Sequence, residues 1–297
     1  MPELPDVVVY VEALAERVVG HRLERTIVRG PFLLRSVAPP VEAAIGRTAA
    51  EVRRVGKRLA IGFDNDVWLV LHLMIAGRLH WRSSGSKNAL AEFHFDSGIL
   101  TLTEAGTRHR AALNMAAGED GLGALDPGGL EVLEATAQEF AAALASANHT
   151  LKRALSDPRI FSGIGNAYSD EILHRAGLSP VALTQRLKPG EAERLFDATR
   201  QTLDYWVARL HAEAKGKFPE KVTAFREGMA VHGRYGLPCP RCGQKIQRIR
   251  YASNETNYCP GCQTGGRLLA DRALSRLLRE DWPRTAEELE TLKRGAS

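Results

Sequence analysis

Four cysteines constrain this chain more than any other feature. They stand in one array, Cys239-Pro-Arg-Cys242, sixteen intervening residues, then Cys259-Pro-Gly-Cys262, and no other cysteine occurs among the 297 residues. A Cys-x-x-Cys pair closes a tight knuckle with both sulfurs aimed at one point, and two pairs at this separation suit a tetrahedral four-thiolate zinc site. Two disulfides are the alternative. The opening residues, Met1 to Val7, lack the basic and apolar regions of a secretory signal. No apolar run reaches the roughly 18 residues that a membrane helix needs. A cytoplasmic, soluble protein is therefore expected, and thiols there stay reduced. One structural zinc per chain follows, since four protein ligands leave no open position. Residues 246–251 and the stretch before Cys259 should pair as a β-hairpin that carries Lys245, Arg248 and Arg250. Such ribbons serve protein partners as well as nucleic acids, so the finger alone does not define a function.

The remainder reads as a folded chain of about two domains. Hydrophobic residues at 44% and charged residues at 25% exclude a disordered composition. The net charge of +5 suits a polyanion, but many proteins of bland function are as basic. Residues 5–19 place Val8, Val11, Leu14, Ala15 and Val18 at helical spacing. Short β-rich runs follow at 22–28, 48–55, 59–63, 67–73, 93–95 and 99–103, separated by turns such as Asp64-Asn65-Asp66 and Asp96-Ser97-Gly98. Residues 83–88 read as an exposed hairpin loop, and 118–129, rich in Gly, Asp and Pro, as a linker. An Ala/Leu-rich helical block spans 130–212. A polar, mobile segment is expected at 215–221, and a charged, helix-prone tail from 268. The expected fold class is α+β and multidomain. It comprises a β-sandwich with flanking helices (1–117), the linker (118–129), a helical domain (130–228), the zinc finger (229–266) and a tail of no assigned role (267–297).

The N-terminus adds a reactive group. Removal of Met1, which a small second residue favours, leaves Pro2 with a terminal secondary amine. An α-amine titrates near 7.7–8.0, against about 10.4 for lysine, so a useful neutral fraction exists at physiological pH. Attack of that amine on an aldehyde-like carbon gives an iminium that draws electrons. Glu3 beside it can donate or accept a proton. Alone, Met-Pro-Glu is only an N-terminus. Three further motifs give it weight: Gly56-Lys57-Arg58, the run Gly163-Ile-Gly-Asn166-Ala-Tyr168-Ser-Asp-Glu171-Ile-Leu, and the finger closing in Cys259-Pro-Gly-Cys262-Gln. Together, in this order over residues 1 to about 263, they resemble the formamidopyrimidine-DNA glycosylase/endonuclease VIII family.

The resemblance implies a monomeric, bifunctional DNA glycosylase and AP lyase of base excision repair, acting on double-stranded DNA with damaged bases or abasic sites. A damaged nucleotide would be flipped from the duplex, and Pro2 would attack its C1′. Elimination would then nick the strand, with β or β,δ elimination left open. Glu3 would help open the sugar, and Lys57, in a turn between predicted strands, would contact phosphate near the lesion. The Gly163–Glu171 run matches a helix-two-turn-helix, whose glycines let backbone N–H groups face phosphate. Asn166 is the phosphate-binding side chain expected there, with Tyr168 on the same DNA-facing segment. Glu171 would support the turn or sit near the flipped base.

Other positions depart from the family. Asn254 stands where a hairpin arginine is usual, leaving Arg248 or Arg250 as stand-ins. Ile75, or else Met74, takes the place of the wedge methionine. Arg108 or Arg110 would face the orphaned base without the usual aromatic neighbour. Oxidised bases are the expected substrates. The competing readings are a catalytically silent binder of damaged DNA, a glycosylase for bulky or crosslinked lesions, and a zinc ribbon that binds a protein.

Overall fold

Alternating apolar side chains across residues 23–117 build two antiparallel sheets. The structure, a computed structural model, describes residues 1–30, 32–106, 109–220, 222, 226–251, 254–270, 283–285, 288, 289 and 291. It divides into two compact units, residues 1–129 with 204–224, and residues 130–203 with 225–297.

The first unit runs α1 (Leu4–Val18), β1 (Leu23–Val28), β2 (Ala49–Val55), β3 (Arg58–Phe63), β4 (Val67–His72), β5 (Gly77–Arg82), β6 (Ala91–Phe95), β7 (Gly98–Glu104), β8 (Ala112–Ala117) and α2 (Gly118–Gly123). One sheet has the order β2-β3-β4-β8 and the other β1-β6-β7-β5. Leu59, Ile61, Leu69 and Leu71 from the first sheet share a core with Leu79, Phe93, Leu100 and Leu102 from the second. The expected β-sandwich is present. The outer face of the first sheet is also buried: Ala60, Trp68, Val70 and Ala116 pack with Leu122 of α2. Burial on both faces explains why β3 and β4 read as unbroken apolar runs. Residues 118–123 are thus a covering helix, not a linker.

Further expectations need correction. The inward face of α1 is Leu4, Val7, Tyr10, Leu14 and Val18, while Val8, Val11 and Ala15 are only half-buried. Strands β5 and β8 escape the sequence pattern because Arg, His, Asn and Ala dilute their β-propensity. Residues 83–88 do not close a hairpin, since β7 lies between β5 and β6. The segment expected to be mobile also packs: the Phe218 ring lies 5.7 Å from the Tyr10 ring, and the Arg17 guanidinium lies 5.6 Å from the Phe218 ring centre.

The second unit contains α3 (Ala137–Ala145), α4 (Leu151–Ser156), α5 (Asn166–Ala176), β9 (Gln247–Tyr251), β10 (Asn254–Tyr258) and α7 (Pro260–Thr264). The long helix α6 (Glu191–Ala214) belongs to this unit up to residue 203 and to the first unit from Asp204. Thr136 and Glu139 start α3 with a reciprocal capping box, each side chain accepting the other's backbone N–H. Phe140 stacks on Phe161 at 4.6 Å. Gly177, at φ 64°, ends α5 in the left-handed region, and the Leu178 N–H bonds back to Leu173 O at 3.0 Å. The hairpin β9–β10 forms as expected. No helix among the described residues is long and apolar enough to cross a membrane. The tail beyond residue 270 lies largely outside the described residues.

Candidate catalytic centre and zinc hairpin

Pro5 in the first turn pre-sets the backbone of α1, and Glu3 is its N-cap residue. The Asp6 carboxylate accepts the Glu3 N–H at 2.9 Å. Pro2 is buried, and Glu3 and Asp6 are each 2% exposed. Burial lowers the pKa of the α-amine at residue 1; Glu3 and Asp6 oppose this, while Arg78 and Lys57 add to it. Lys57 occupies the two-residue turn joining β2 to β3, where Gly56 takes φ 59°. Arg54 donates to Gly56 O at 2.9 Å and braces that turn. Arg78 and Asp6 are not singled out by sequence, although Arg78 directly follows the glycine of the wedge turn. Its guanidinium donates to Gly77 O at 2.6 Å and Ile75 O at 3.3 Å.

His72, at the end of β4 and paired with Arg58, also carries no sequence signal. Burial first, then the charges of Arg58 and Lys57, push its pKa down to about 4. The unfolded ring titrates near 6.5, so between pH 6.5 and 4 the unfolded state binds a proton that the folded state refuses. Stability contributed by the neutral ring is present above pH 6.5 and is lost as pH falls toward 4. We expect His72→Gln to remove about 2 kcal/mol of acid-induced destabilisation across this window. Urea unfolding of both proteins at pH 7 and pH 4.5 checks it; equal pH dependence contradicts the assignment.

The wedge turn presents Ile75 rather than Met74. Ile75 is 59% exposed, whereas Met74 is half-buried at φ 52°. Only glycine fits at position 77, because a Cβ there would collide with Leu73 O. At the end of β7, the Glu104 carboxylate accepts the N–H groups of Arg110, at 2.9 Å, and Ala111, at 3.1 Å, leaving Arg110 exposed. Arg108 lies outside the described residues.

In the second unit, Gly163 (φ 75°) and the N-cap Gly165 lead into α5, whose first turn carries no acidic side chain. The positive end of the helix dipole there suits an anion. Asn166 Nδ2 donates to Glu255 O at 3.1 Å, which fixes the amide and leaves its second N–H for a ligand. Beneath it lies a buried charge network. Lys152 Nζ donates to Asp170 Oδ1 (2.6 Å), Asn166 O (2.6 Å) and Ser169 Oγ (2.9 Å). Asp170 Oδ2 meets His232 Nδ1 at 2.8 Å and accepts the Asn257 N–H at 3.1 Å. One expectation fails here and another is narrowed. Tyr168 is 1% exposed and faces the core. Glu171 is buried, and accepts the N–H groups of Ala230 (2.7 Å), Val231 (2.9 Å) and His232 (2.9 Å), so it supports a loop rather than a flipped base.

The cysteines form no disulfide. Cys239 Sγ lies 3.9 Å from Cys262 Sγ, and Cys242 Sγ 3.3 Å from Cys259 Sγ. A tetrahedral Zn–S length of about 2.3 Å places sulfurs about 3.8 Å apart, so the four thiols fit one zinc. The second knuckle is closely packed at Gly261, where a Cβ would lie 2.8 Å from Gln244 Oε1 and 3.2 Å from Cys242 Sγ. The metal's role is structural. Arg248 is a poor stand-in for a tip arginine: its guanidinium stacks 4.1 Å over Tyr235 and sits 3.5 Å from Glu255. Arg250 is more exposed, 3.8 Å from Glu255. Asn254 is exposed opposite Tyr251, and residues 252 and 253 at the tip lie outside the described residues.

Three family models match in sequence order. The formamidopyrimidine-DNA glycosylase N-terminal domain covers residues 1–112, the formamidopyrimidine-DNA glycosylase H2TH domain 126–215, and the zinc finger found in FPG and IleRS 236–265. A formamidopyrimidine-DNA glycosylase of Heliobacterium modesticaldum is 33% identical over 281 residues, covering 89% of this chain and all of that protein. An uncharacterized formamidopyrimidine-DNA glycosylase-like protein of Mycobacterium tuberculosis is 38% identical over 159 residues, which cover 51% of this chain and 94% of that protein. The crystal structure of the MutM (Fpg) protein from Thermus thermophilus superposes with a TM-score of 0.73 at 31% identity, over 88% of this chain and 98% of that one. A Lactococcus lactis Fpg in complex with Fapy-dG-containing DNA shares the fold, with a TM-score of 0.78 at 24% identity over 88% of this chain and all of that one.

Proposed function

Since the chain belongs to the formamidopyrimidine-DNA glycosylase family, we propose that it excises damaged, chiefly oxidised, bases from duplex DNA and nicks the strand through an iminium on Pro2. The carrying observation is the buried Pro2 followed by buried Glu3 and Asp6, at a chain end where burial lowers the pKa of the Met1 α-amine. With Met1 removed, the Pro2 nitrogen attacks C1′ of the damaged nucleotide. The glycosidic bond breaks, and its electron pair leaves with the base, which takes up the proton that the Pro2 nitrogen sheds. Glu3 protonates the ring oxygen as the sugar opens, and the nitrogen lone pair completes an iminium. Loss of a C2′ proton then expels the 3′ phosphate. Lys57 in the first unit and Asn166 at the start of α5 in the second hold phosphates, and Ile75 fills the vacated stack. Zinc keeps the hairpin in shape when bound.

Asn254, in place of a basic tip residue, favours one second reading, a lesion binder with little catalysis. Incubation with duplexes carrying oxidised purines, ring-opened purines, oxidised pyrimidines or abasic sites separates the two. Base release and strand scission on at least one oxidised duplex is the expected result. Tight binding to every duplex without release or scission selects the silent binder.

A further inference from the structure

His174, in the last turn of α5, has no part in the reading above. Its Nε2 lies 3.3 Å from Cys239 Sγ, and the residue is 6% exposed. That nitrogen and the sulfurs of Cys239, Cys259 and Cys262 all lie within 4.8 Å of one another. With Cys242 Sγ 3.3 Å from Cys259 Sγ, five donor groups crowd a site where zinc takes four. The two knuckles already supply four thiolates. Zinc with four thiolates carries a net charge of −2; Cys239 and Cys259 are buried, and charge on buried sulfurs is costly unless hydrogen bonds answer it. Backbone groups point at the sulfurs: Arg241 N–H to Cys239 Sγ at 3.4 Å, Cys262 N–H to Cys259 Sγ at 3.5 Å, and Gln244 N–H to Cys242. The imidazole is the one side-chain nitrogen given that position among the described residues. An Nε2–H exists in one neutral tautomer and in the protonated ring, so the contact requires no titration.

We propose that His174 is an outer-sphere partner of the zinc centre, donating its Nε2–H to the Cys239 thiolate and so tying α5 to the metal. The end of the helix is fitted to the second knuckle as well. Gln263 Nε2 donates to Leu178 O at 2.9 Å, and a Cβ at Gly177 would lie 3.4 Å from Cys262 O. The same helix begins at Asn166, about 12 Å away at 1.5 Å per residue. The metal thus anchors one end of a rigid rod whose other end presents the phosphate-binding amide.

Outer-sphere partners change metal affinity by roughly 10- to 100-fold. In the zinc-loaded full chain, His174→Phe should transfer zinc to a competing chromogenic chelator at least about tenfold faster than wild type. His174→Gln, which keeps an N–H donor, should stay closer to wild type. Equal rates for His174→Phe and wild type overturn the proposal. Should the phenylalanine variant not fold, ring nitrogen shifts of His174 in the zinc-loaded wild type decide. An Nε2–H tautomer supports the proposal; an Nδ1–H tautomer or a metal-bound Nε2 overturns it. Neither readout involves base excision, so the result stands apart from the glycosylase reading.

Discussion

Stripping the zinc should release one ion per chain and weaken binding to an abasic duplex by at least about 100-fold. The hairpin β9–β10 has only two strands, and such a pair is marginal in water by itself. Its apolar support is small: Val231, Cys239, Ile246 and Cys259, two of which are metal ligands. Glu255 O orients Asn166, and Asn257 satisfies Asp170, so a hairpin that loosens also releases the groups at the start of α5. Metal content and fluorescence anisotropy, measured on the same chelated sample at fixed salt, provide the check. Undiminished affinity after complete metal loss contradicts the assigned role of the finger.

Glu3→Gln should lower base excision by about 10²- to 10⁴-fold, the range of a lost general acid, while cleavage at a preformed abasic site survives in good part. Glutamine matches the shape of Glu3 and keeps an acceptor at the N-cap, and the Asp6 bond to the residue 3 N–H does not depend on the side chain. The fold should therefore persist, as thermal unfolding will report. Single-turnover rates on a lesion duplex and an abasic duplex separate the two steps. Excision at the wild-type rate removes Glu3 from the mechanism.

What the sequence discloses depends on how local the chemistry is. The zinc ligands are legible because each knuckle closes within four residues, and the start of α5 because its glycines fix a turn. Lys57 is legible as part of a two-residue turn. The partners that tune these groups come from distant positions. His72 is 14 residues beyond Arg58 in sequence yet opposite it across the sheet, and Asp170 joins Lys152, His232 and Asn257 across separations of 18, 62 and 87 residues. The phase of α1 is obscure for a different reason. Val7, Val8, Val9 and Val11 offer apolar groups on every side, and only packing with the sandwich selects Val7 and Tyr10 for the core. Tyr168 and Glu171 share a motif with Asn166 but not its face of the helix. They point inward, and the motif includes them for packing and for holding the 230–232 loop.

Borohydride reduction of the protein bound to a damaged duplex, followed by peptide mapping of the cross-link, tests the nucleophile directly. A single covalent adduct on a peptide beginning at Pro2, lost in the Pro2→Gly protein, is the predicted result. An adduct on an internal lysine, or full trapping by protein that still carries Met1, contradicts it.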